Sequence, residues 1–238
     1  MIEESLKGKK IAVVAMGRSQ IDYHLSISHS QQYDEVWAIG SMCAVIAPDR
    51  AFIMDPATRF FDTFDAGPQT HVMRRTLPRL DVPIYSCVKD NRVPGIVLYP
   101  LEEVIKKTGC AYFNNSIAYA IAYALYQEVG SINMFGADFT YKTNVHFGEM
   151  GRACCEFWLS KCMQKGIDVA IAPSSSLLDT NVSTKEKLYG YHRLDDPPVV
   201  YLDKGELAVG NLSEVLEEKP LTGLSGRQDI GPPEPEKY

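Results

Sequence analysis

Short apolar runs alternate with longer amphipathic or polar segments along the first 182 residues of the chain. Several runs are rich in Val and Ile and lack polar positions, which is typical of parallel strands buried on both faces. The runs predicted to be strands are 10–15, 35–39, 51–54, 82–86, 96–99, 131–135 and 167–172. Strands that alternate with helices predict an α/β fold: a Rossmann-like, doubly wound, mainly parallel sheet with helices on both faces.

The helices are predicted from their boundary residues and spacing. Pro100 and two glutamates open a helix that Gly109 closes,. The alanine-rich segment at 114–125 predicts a helix of little bulk, able to lie close to the sheet,. Apolar residues at helical spacing predict a helix at 148–165, preceded by a polar loop, V-H-F-G-E,. Residues 57–81 are interrupted by Gly and Pro and predict two short helical pieces or a flap.

A change in composition divides the chain. Residues 1–182 are predicted to form a single α/β domain, and 183–224 a polar C-terminal extension in which 199–202 makes an edge strand or one arm of a hairpin,. Residues 225–238 are rich in Pro, Gly and acidic residues, and we predict an irregular, disordered tail there.

Composition restricts the function classes. Of 238 residues, 45% are hydrophobic and 23% charged, as in ordinary globular proteins,. The net charge of −6 predicts no general affinity for nucleic acid,. No apolar run approaches the ~20 residues that span a bilayer, and the N-terminus lacks a signal-peptide core, so we expect a cytoplasmic protein without a membrane span. The six cysteines show no zinc or disulfide spacing and are predicted to be reduced,.

Polar residues follow the predicted strands at their carboxyl ends, where open α/β sheets bind ligands. Asp138, Thr140 and His146 arrive together after the strand at 131–135. Gly17 follows the first strand and marks either a phosphate-binding turn or simply a tight turn. Asp55 follows the third strand; it either caps a turn or contacts a ribose hydroxyl or a metal. The sequence therefore predicts a small-molecule site at this edge of the sheet.

The order of motifs at 114–179 resembles that of bacterial single-domain sialyltransferases, which use CMP-sialic acid. The matching segments are A-I-A-Y-A-L (120–125), G-A-D-F-T-Y (136–141), His146 with the pair Glu156-Phe157, and P-S-S-S-L-L (173–178). The turn M-G-R-S after the first strand also looks like that family's. The chain is similar as well to the wider group of motility-accessory and 6-hydroxymethylpterin diphosphokinase-like proteins.

The resemblance implies a glycosyltransferase that needs no obligatory cofactor or metal and takes a nucleotide sugar as donor. By it, His146 would be the general base on the acceptor hydroxyl, and Tyr141 would steady the departing nucleotide phosphate. Asp138 is the third candidate for catalysis. The candidate nucleotide- and substrate-binding residues are Gly17, Arg18, Ser19, Gly40, Ser41, Asp55, Asn114, Asn115, Ser116, Gly136, Thr140, Ser174 and Ser175.

Two alternatives stay open. The first is a pyrophosphokinase-type transferase that uses ATP and Mg²⁺, with Asp55 and Asp138 as metal ligands. The second is a non-catalytic nucleotide or nucleotide-sugar binder, which is favoured by Met16 and Gly40 at positions where the family has asparagine. The expected partners are a small nucleotide ligand and an unidentified acceptor; a homo-oligomer is one option.

Overall fold

The computed structural model describes residues 5–140, 145–182 and 198–218. The chain divides into two units, Met1–Val182 and Ser183–Tyr238. The first unit is built on a seven-stranded sheet in the order β5-β4-β3-β2-β1-β6-β7, and every strand pairs in parallel with its neighbours. The strands are β1 (Lys10–Val14), β2 (Glu35–Ile39), β3 (Arg50–Phe52), β4 (Ile84–Ser86), β5 (Ile96–Leu98), β6 (Ser131–Phe135) and β7 (Asp168–Ile171).

In the described part of the first unit, six helices cover the two faces of this sheet. They are α1 (Gln20–Ser28), α2 (Thr58–Phe61), α3 (Gln69–Thr76), α4 (Leu101–Thr108), α5 (Ser116–Gln127) and α6 (Val145–Gln164). Short 3₁₀ turns lie at Gly40–Ala44, Leu77–Arg79 and Leu177–Asp179. Residues of α1, α2 and α3 belong to one hydrophobic cluster, and residues of α4, α5 and α6 belong to another.

The strands divide their side chains between these two clusters. In β1, Ile11 and Val13 pack with α4–α6, whereas Ala12 and Val14 pack with α1–α3. Side chains alternate along a strand, so a strand covered on both faces needs apolar residues at consecutive positions. The doubly wound α/β fold predicted from these continuous runs is confirmed.

A buried polar network lies among the side chains on the α4–α6 face. The Arg50 guanidinium contacts the Glu35 carboxylate, with Nε 2.7 Å from Oε2. Trp37 Nε1 donates to the same carboxylate, and Arg50 Nη1 donates to the Tyr85 hydroxyl. Arg50 and Glu35 are 6% and 9% exposed. Because removing one partner would leave an uncompensated charge in the core, the pair constrains which residues these positions tolerate.

The first unit differs from the sequence-based prediction at the start of α6. The segment V-H-F-G-E was expected to be a polar loop, but Val145 begins the helix and His146 lies in its first turn. The apolar spacing that predicted this helix begins only at Met150. The residues before Met150 mix polar and apolar side chains and do not form one apolar face. The residues 57–81 form two short helices, α2 and α3, as one of the two options had it.

The second unit contains a hairpin and a helix. Strands β8 (Pro198–Asp203) and β9 (Glu206–Asn211) pair antiparallel, and α7 (Leu212–Glu218) follows. The predicted strand at 199–202 is therefore one arm of a hairpin. The predicted tail, 225–238, lies outside the described residues. In the parts of both units that the structure describes, no helix combines the length and apolarity needed to cross a membrane.

Candidate functional site

A cleft of about 860 Å³ lies at the carboxyl ends of β1, β2, β3 and β6. Strand β1 sits between β2 and β6, and the helices that follow β1 and β6, α1 and α6, pack on opposite faces of the sheet, so the direction of winding reverses at this point. Ligands of doubly wound proteins bind at such a switch point. The cleft is lined by residues 15–18, 39–40, 54–55, 59, 69, 113–117, 119, 136, 138–140, 147 and 150–151.

Two glycines let the loops after β1 and β6 touch at the base of this cleft. The amide of Gly17 donates to the carbonyl of Gly136 at 2.7 Å. A Cβ on Gly17 would lie 2.6 Å from Asp138 Oδ2, and Gly136 has a φ of +68°. Gly17 is thus required by the close approach of two loops, and Gly136 by its left-handed backbone as well. Both line the cleft.

Asp138 fastens these loops together. Its Oδ2 accepts from the Ser19 amide at 2.8 Å and its Oδ1 from the Ser19 hydroxyl at 2.5 Å. The Ser19 Oγ accepts in turn from the Gly136 amide. Both side chains are buried. Ser19 directly precedes α1, and its side chain makes no capping hydrogen bond to that helix. Ser19 is not among the described residues that line the cleft, and it holds together the two loops at the base of the cleft.

We expect Asp138→Ala to lower the free energy of unfolding by about 1–3 kcal/mol, because Ser19 would keep two buried donors without an acceptor. Urea denaturation followed by circular dichroism measures the loss. Asp138→Asn is the matched control; its amide keeps one carbonyl acceptor, so a smaller loss is expected. Equal stability of the wild type and Asp138→Ala would contradict the fastening role.

Arg18 supplies an uncommitted positive charge to the cleft. It lies in the turn between β1 and α1 and is exposed. Within the described part of the chain its guanidinium has no hydrogen bond or ion pair. Arg59 also lines the cleft, but its Nη1 contacts Asp55 Oδ1 at 2.5 Å. That hydrogen bond raises the pKa of Arg59 above its usual value. Of the two arginines among the described lining residues, Arg18 is therefore the one available for an anionic ligand,.

The two predicted asparagines line the cleft, and both form hydrogen bonds within the protein. Asn115 caps α5, its Oδ1 accepting from the Ala118 amide at 3.0 Å. Its Nδ2 donates to Gly151 O, and Asn114 Nδ2 donates to Met150 O, so the pair joins the start of α5 to α6. Ser116 Oγ accepts from the Met54 amide at 3.4 Å. These residues shape the wall of the cleft, and Asn114 is the most exposed of them.

An aromatic wall lines the cleft beside these asparagines, and it was not predicted. The Phe113 ring stacks on Tyr119, with centroids 4.5 Å apart, and on the buried Trp158. Phe139 and Phe147 also line the cleft. The available signal was Phe113 directly before N-N-S, but the partners of this ring come from separate helices. Stacked rings of this kind suit the flat face of a nucleobase.

The ring of Phe139 depends on the glycine that faces it. Phe139 has a left-handed φ of +52°. A Cβ on Gly151 would lie 2.7 Å from the Phe139 ring, so glycine is needed there for the ring to reach α6. A non-glycine residue held in this conformation is uncommon and often marks a functional site.

Several residues predicted to bind the ligand instead form hydrogen bonds with other residues of the protein. Ser41 Oγ has one hydrogen, and the acceptors within reach of it are Met16 Sδ and, at 3.3 Å, Gln69 Oε1,. Ser174 binds Asp22 on α1 through its amide and its hydroxyl. Ser175 is buried and its Oγ donates to the Ala137 carbonyl. These three serines are not in the lining formed by the described residues, whereas Gly40, Asp55 and Thr140 are.

His146 stands on the helix that closes one side of the cleft. It is exposed, and it directly precedes Phe147, which lines the cleft together with Met150 and Gly151. His146 itself is not among the described lining residues. Tyr141, its predicted partner in catalysis, lies outside the described residues.

The acidic residues suggested for metal binding have other partners. Asp55 pairs with Arg59, and Asp138 accepts two hydrogen bonds from Ser19. Across residues 5–140, 145–182 and 198–218, no group of three or more His, Cys, Asp or Glu residues is arranged to hold a metal ion. A Mg²⁺ site built on these two carboxylates does not fit this geometry, although a magnesium ion carried by substrate phosphates needs few protein ligands.

Comparison with known proteins yields a likeness of fold. No protein-family model matches the chain, and no curated protein does. Among solved structures, the chain is similar to the sialyltransferase CstII from Campylobacter jejuni in complex with a substrate analogue, CMP-3FNeuAc. The two are 15% identical with a TM-score of 0.47, over 71% of this chain and 82% of that chain.

Proposed function

We propose that the protein binds a nucleotide sugar in the cleft at the switch point and transfers the sugar to an acceptor hydroxyl. The observation that carries this proposal is the joint presence, in one cleft of about 860 Å³, of an uncommitted guanidinium and an aromatic wall. Arg18 suits the phosphate, and the exposed Phe147 ring of the aromatic wall suits the base. A cavity of this size is typical for ligands of nucleotide-sugar dimensions.

His146 is the proposed general base. Its imidazole would take the proton from the acceptor hydroxyl as that oxygen bonds to the anomeric carbon of the sugar. The bond between that carbon and the phosphate oxygen breaks, and the nucleotide leaves with the electron pair. An imidazole suits this step because its ordinary pKa is near neutrality. The proposal requires the first turn of α6 to bring His146 to the acceptor, next to Phe147, which already faces the cleft.

We expect Arg18→Ala to weaken binding of the nucleotide about tenfold, because one charge-assisted hydrogen bond contributes about 1.5 kcal/mol or more. Isothermal titration calorimetry with CMP, UDP and GDP, and with their sugar conjugates, measures the affinity. Arg75→Ala is the matched control, since Arg75 is also exposed but lies on α3 outside the cleft. An affinity equal to that of the wild type in Arg18→Ala would contradict the assigned role.

The metal-dependent alternative is separated by a thermal-shift screen of nucleotides and nucleotide sugars, with and without Mg²⁺. A ligand that binds only the folded state raises the melting temperature. A metal-independent shift with a nucleotide sugar supports the proposal and identifies the donor class. A shift with ATP that appears only with Mg²⁺ would replace it with the pyrophosphokinase-type reaction, even though Asp55 and Asp138 are engaged with Arg59 and Ser19.

The non-catalytic alternative also has an observation in its favour, because His146 is absent from the described lining of the cleft. It predicts binding of a nucleotide sugar without release of free nucleotide in the presence of any acceptor. Measuring nucleotide release over time, with water and with a panel of sugar acceptors, distinguishes a transferase from a binder.

A further inference from the structure

Polar side chains line the cleft on the side of β3. Asp55 and Arg59 follow that strand, Gln69 lies in the first turn of α3, and all three are among the lining residues. Among the described residues, Asp55 contacts Arg59 through Oδ1, and its Oδ2 has no donor. In the same part of the chain, Gln69 faces Ser41 through Oε1, and its Nε2 has no acceptor. An open carboxylate oxygen and an open amide N–H suit sugar hydroxyls, which both donate and accept hydrogen bonds.

Apolar side chains face the cleft from α6, on its other side. Phe147 and Met150 line it, and α6 follows β6, which pairs with β1 on the side away from β3. The strand order β3-β2-β1-β6 therefore places Arg18, in the turn after β1, between the two sides. Asp55 follows a strand two positions from β1, at about 10 Å by the usual spacing of strands,. A phosphate at Arg18 then leaves room for one sugar ring between Arg18 and Asp55.

The ion pairs on the β3 side leave it with negative charge. Arg59 Nη1 lies 2.5 Å from Asp55 Oδ1, and Arg59 Nε lies 3.5 Å from Asp65 Oδ1. Two carboxylates thus share one guanidinium, and the three side chains together carry one net negative charge. A carboxylate on a bound sugar would meet this group with Arg59 already paired, and repulsion at such short range lowers affinity about tenfold. Uncharged hydroxyls avoid this repulsion.

We propose that the cleft takes a donor whose sugar is uncharged, and that Asp55 determines this specificity. The inference rests on the proposed function, because it concerns the sugar end of the same cleft. Asp55 contributes in two ways. Its charge occupies the Arg59 guanidinium, which would otherwise bind a sugar carboxylate, and its open oxygen accepts from a sugar hydroxyl,. Gln69 Nε2 donates to a second hydroxyl.

Donor pairs that differ chiefly in the charge of the sugar measure this specificity. They are UDP-glucose with UDP-glucuronic acid, GDP-mannose with GDP-mannuronic acid, and the methyl ester of CMP-sialic acid with CMP-sialic acid itself. By isothermal titration calorimetry we expect the full-length wild type to bind the uncharged member about tenfold more tightly than the acidic one, for the nucleotide that the cleft accepts. Free CMP, UDP and GDP are titrated on the same preparation, so that binding of the nucleotide is measured independently of the sugar.

Asp55→Asn keeps the size of the side chain and removes its charge. Arg59 then becomes free to pair with a sugar carboxylate, so the acidic donor should gain about tenfold in affinity and the preference for the uncharged donor should disappear. Arg59→Gln acts in the opposite direction, because the Asp55 charge is no longer neutralised and the acidic donor should bind more weakly than to the wild type. The two side chains are 44% and 39% exposed, so both variants should fold, which thermal melting checks.

Asp65→Asn is the matched control. Asp65 also contacts Arg59, but its side chain is 62% exposed and is not among the described lining residues, so the preference for the uncharged donor should persist,. An acidic donor that the wild type binds as tightly as its uncharged partner would overturn the specificity and leave the nucleotide cleft in place, as would an Asp55→Asn variant without a gain for the acidic donor. Failure of CMP, UDP and GDP to bind would overturn the proposed function, and this inference with it.

Discussion

Replacing Arg50 with methionine is expected to lower the free energy of unfolding by about 3–5 kcal/mol, which is one of the two largest effects expected here. The guanidinium of Arg50 lies 2.7 Å from the Glu35 carboxylate, and both residues are buried. Without Arg50 the carboxylate would stay in the core, and among the described residues Trp37 Nε1 would remain as its side-chain donor. Urea denaturation followed by circular dichroism measures the change.

The double variant Glu35→Gln, Arg50→Met is the matched control for this effect. Glutamine removes the charge and keeps an acceptor for Trp37 Nε1. Because the loss in Arg50→Met comes mainly from an uncompensated charge, the double variant should regain a large part of the lost stability. A double variant less stable than Arg50→Met would show that packing of the arginine side chain, and not its charge, stabilises this region.

Replacing His146 with alanine is expected to lower turnover by about 10²–10⁴-fold with affinity for the nucleotide-sugar donor retained, the usual range for loss of a general base. His146 is not among the described residues that line the cleft, so donor binding should depend on the lining residues instead. Release of free nucleotide in the presence of acceptor measures turnover, and calorimetry measures donor affinity on the same preparation.

His29→Ala is the matched control for this variant. His29 is exposed and follows the last turn of α1, and the first turn of α1 is the end that lies at the cleft. Turnover should be unchanged by its loss. Normal turnover in His146→Ala would remove the assigned base but leave the nucleotide cleft, which Arg18→Ala tests separately. Loss of donor affinity in His146→Ala would instead make His146 a binding residue.

The predicted site residues fall into two groups: those that line the cleft and those that hydrogen-bond to distant parts of the chain. Gly17, Gly40, Asp55 and Gly136 line the cleft because the carboxyl ends of parallel strands share an edge of the sheet,. Ser19 and Asp138 are 119 residues apart and hydrogen-bonded to each other. Their positions after predicted strands marked both as candidate site residues. No local pattern indicated that they would hydrogen-bond to each other and hold two loops together.

The same distinction applies to the aromatic wall and to His146. Phe113, Tyr119 and Trp158 come from a loop and two helices, and their stacking exists only once α5 and α6 pack together. The first turn of α6 was predicted as a loop, because its residues mix polar and apolar side chains without the spacing of a buried face. Helix formation there places Phe147 on the side of the cleft and His146 beside it.

The sequence by itself determined the α/β class and the parallel strands, because strands buried on both faces need uninterrupted apolar residues and such runs are readable from local order. It also determined which edge of the sheet carries polar residues. The tertiary structure alone decided which of those residues stay available: Asp55 is taken by Arg59, Asp138 by Ser19, and Arg18 remains open to a ligand. Hydrogen-bond partners distant in the chain meet only when the sheet has formed, so a side chain's chemistry is set by its residue type and its availability by the fold.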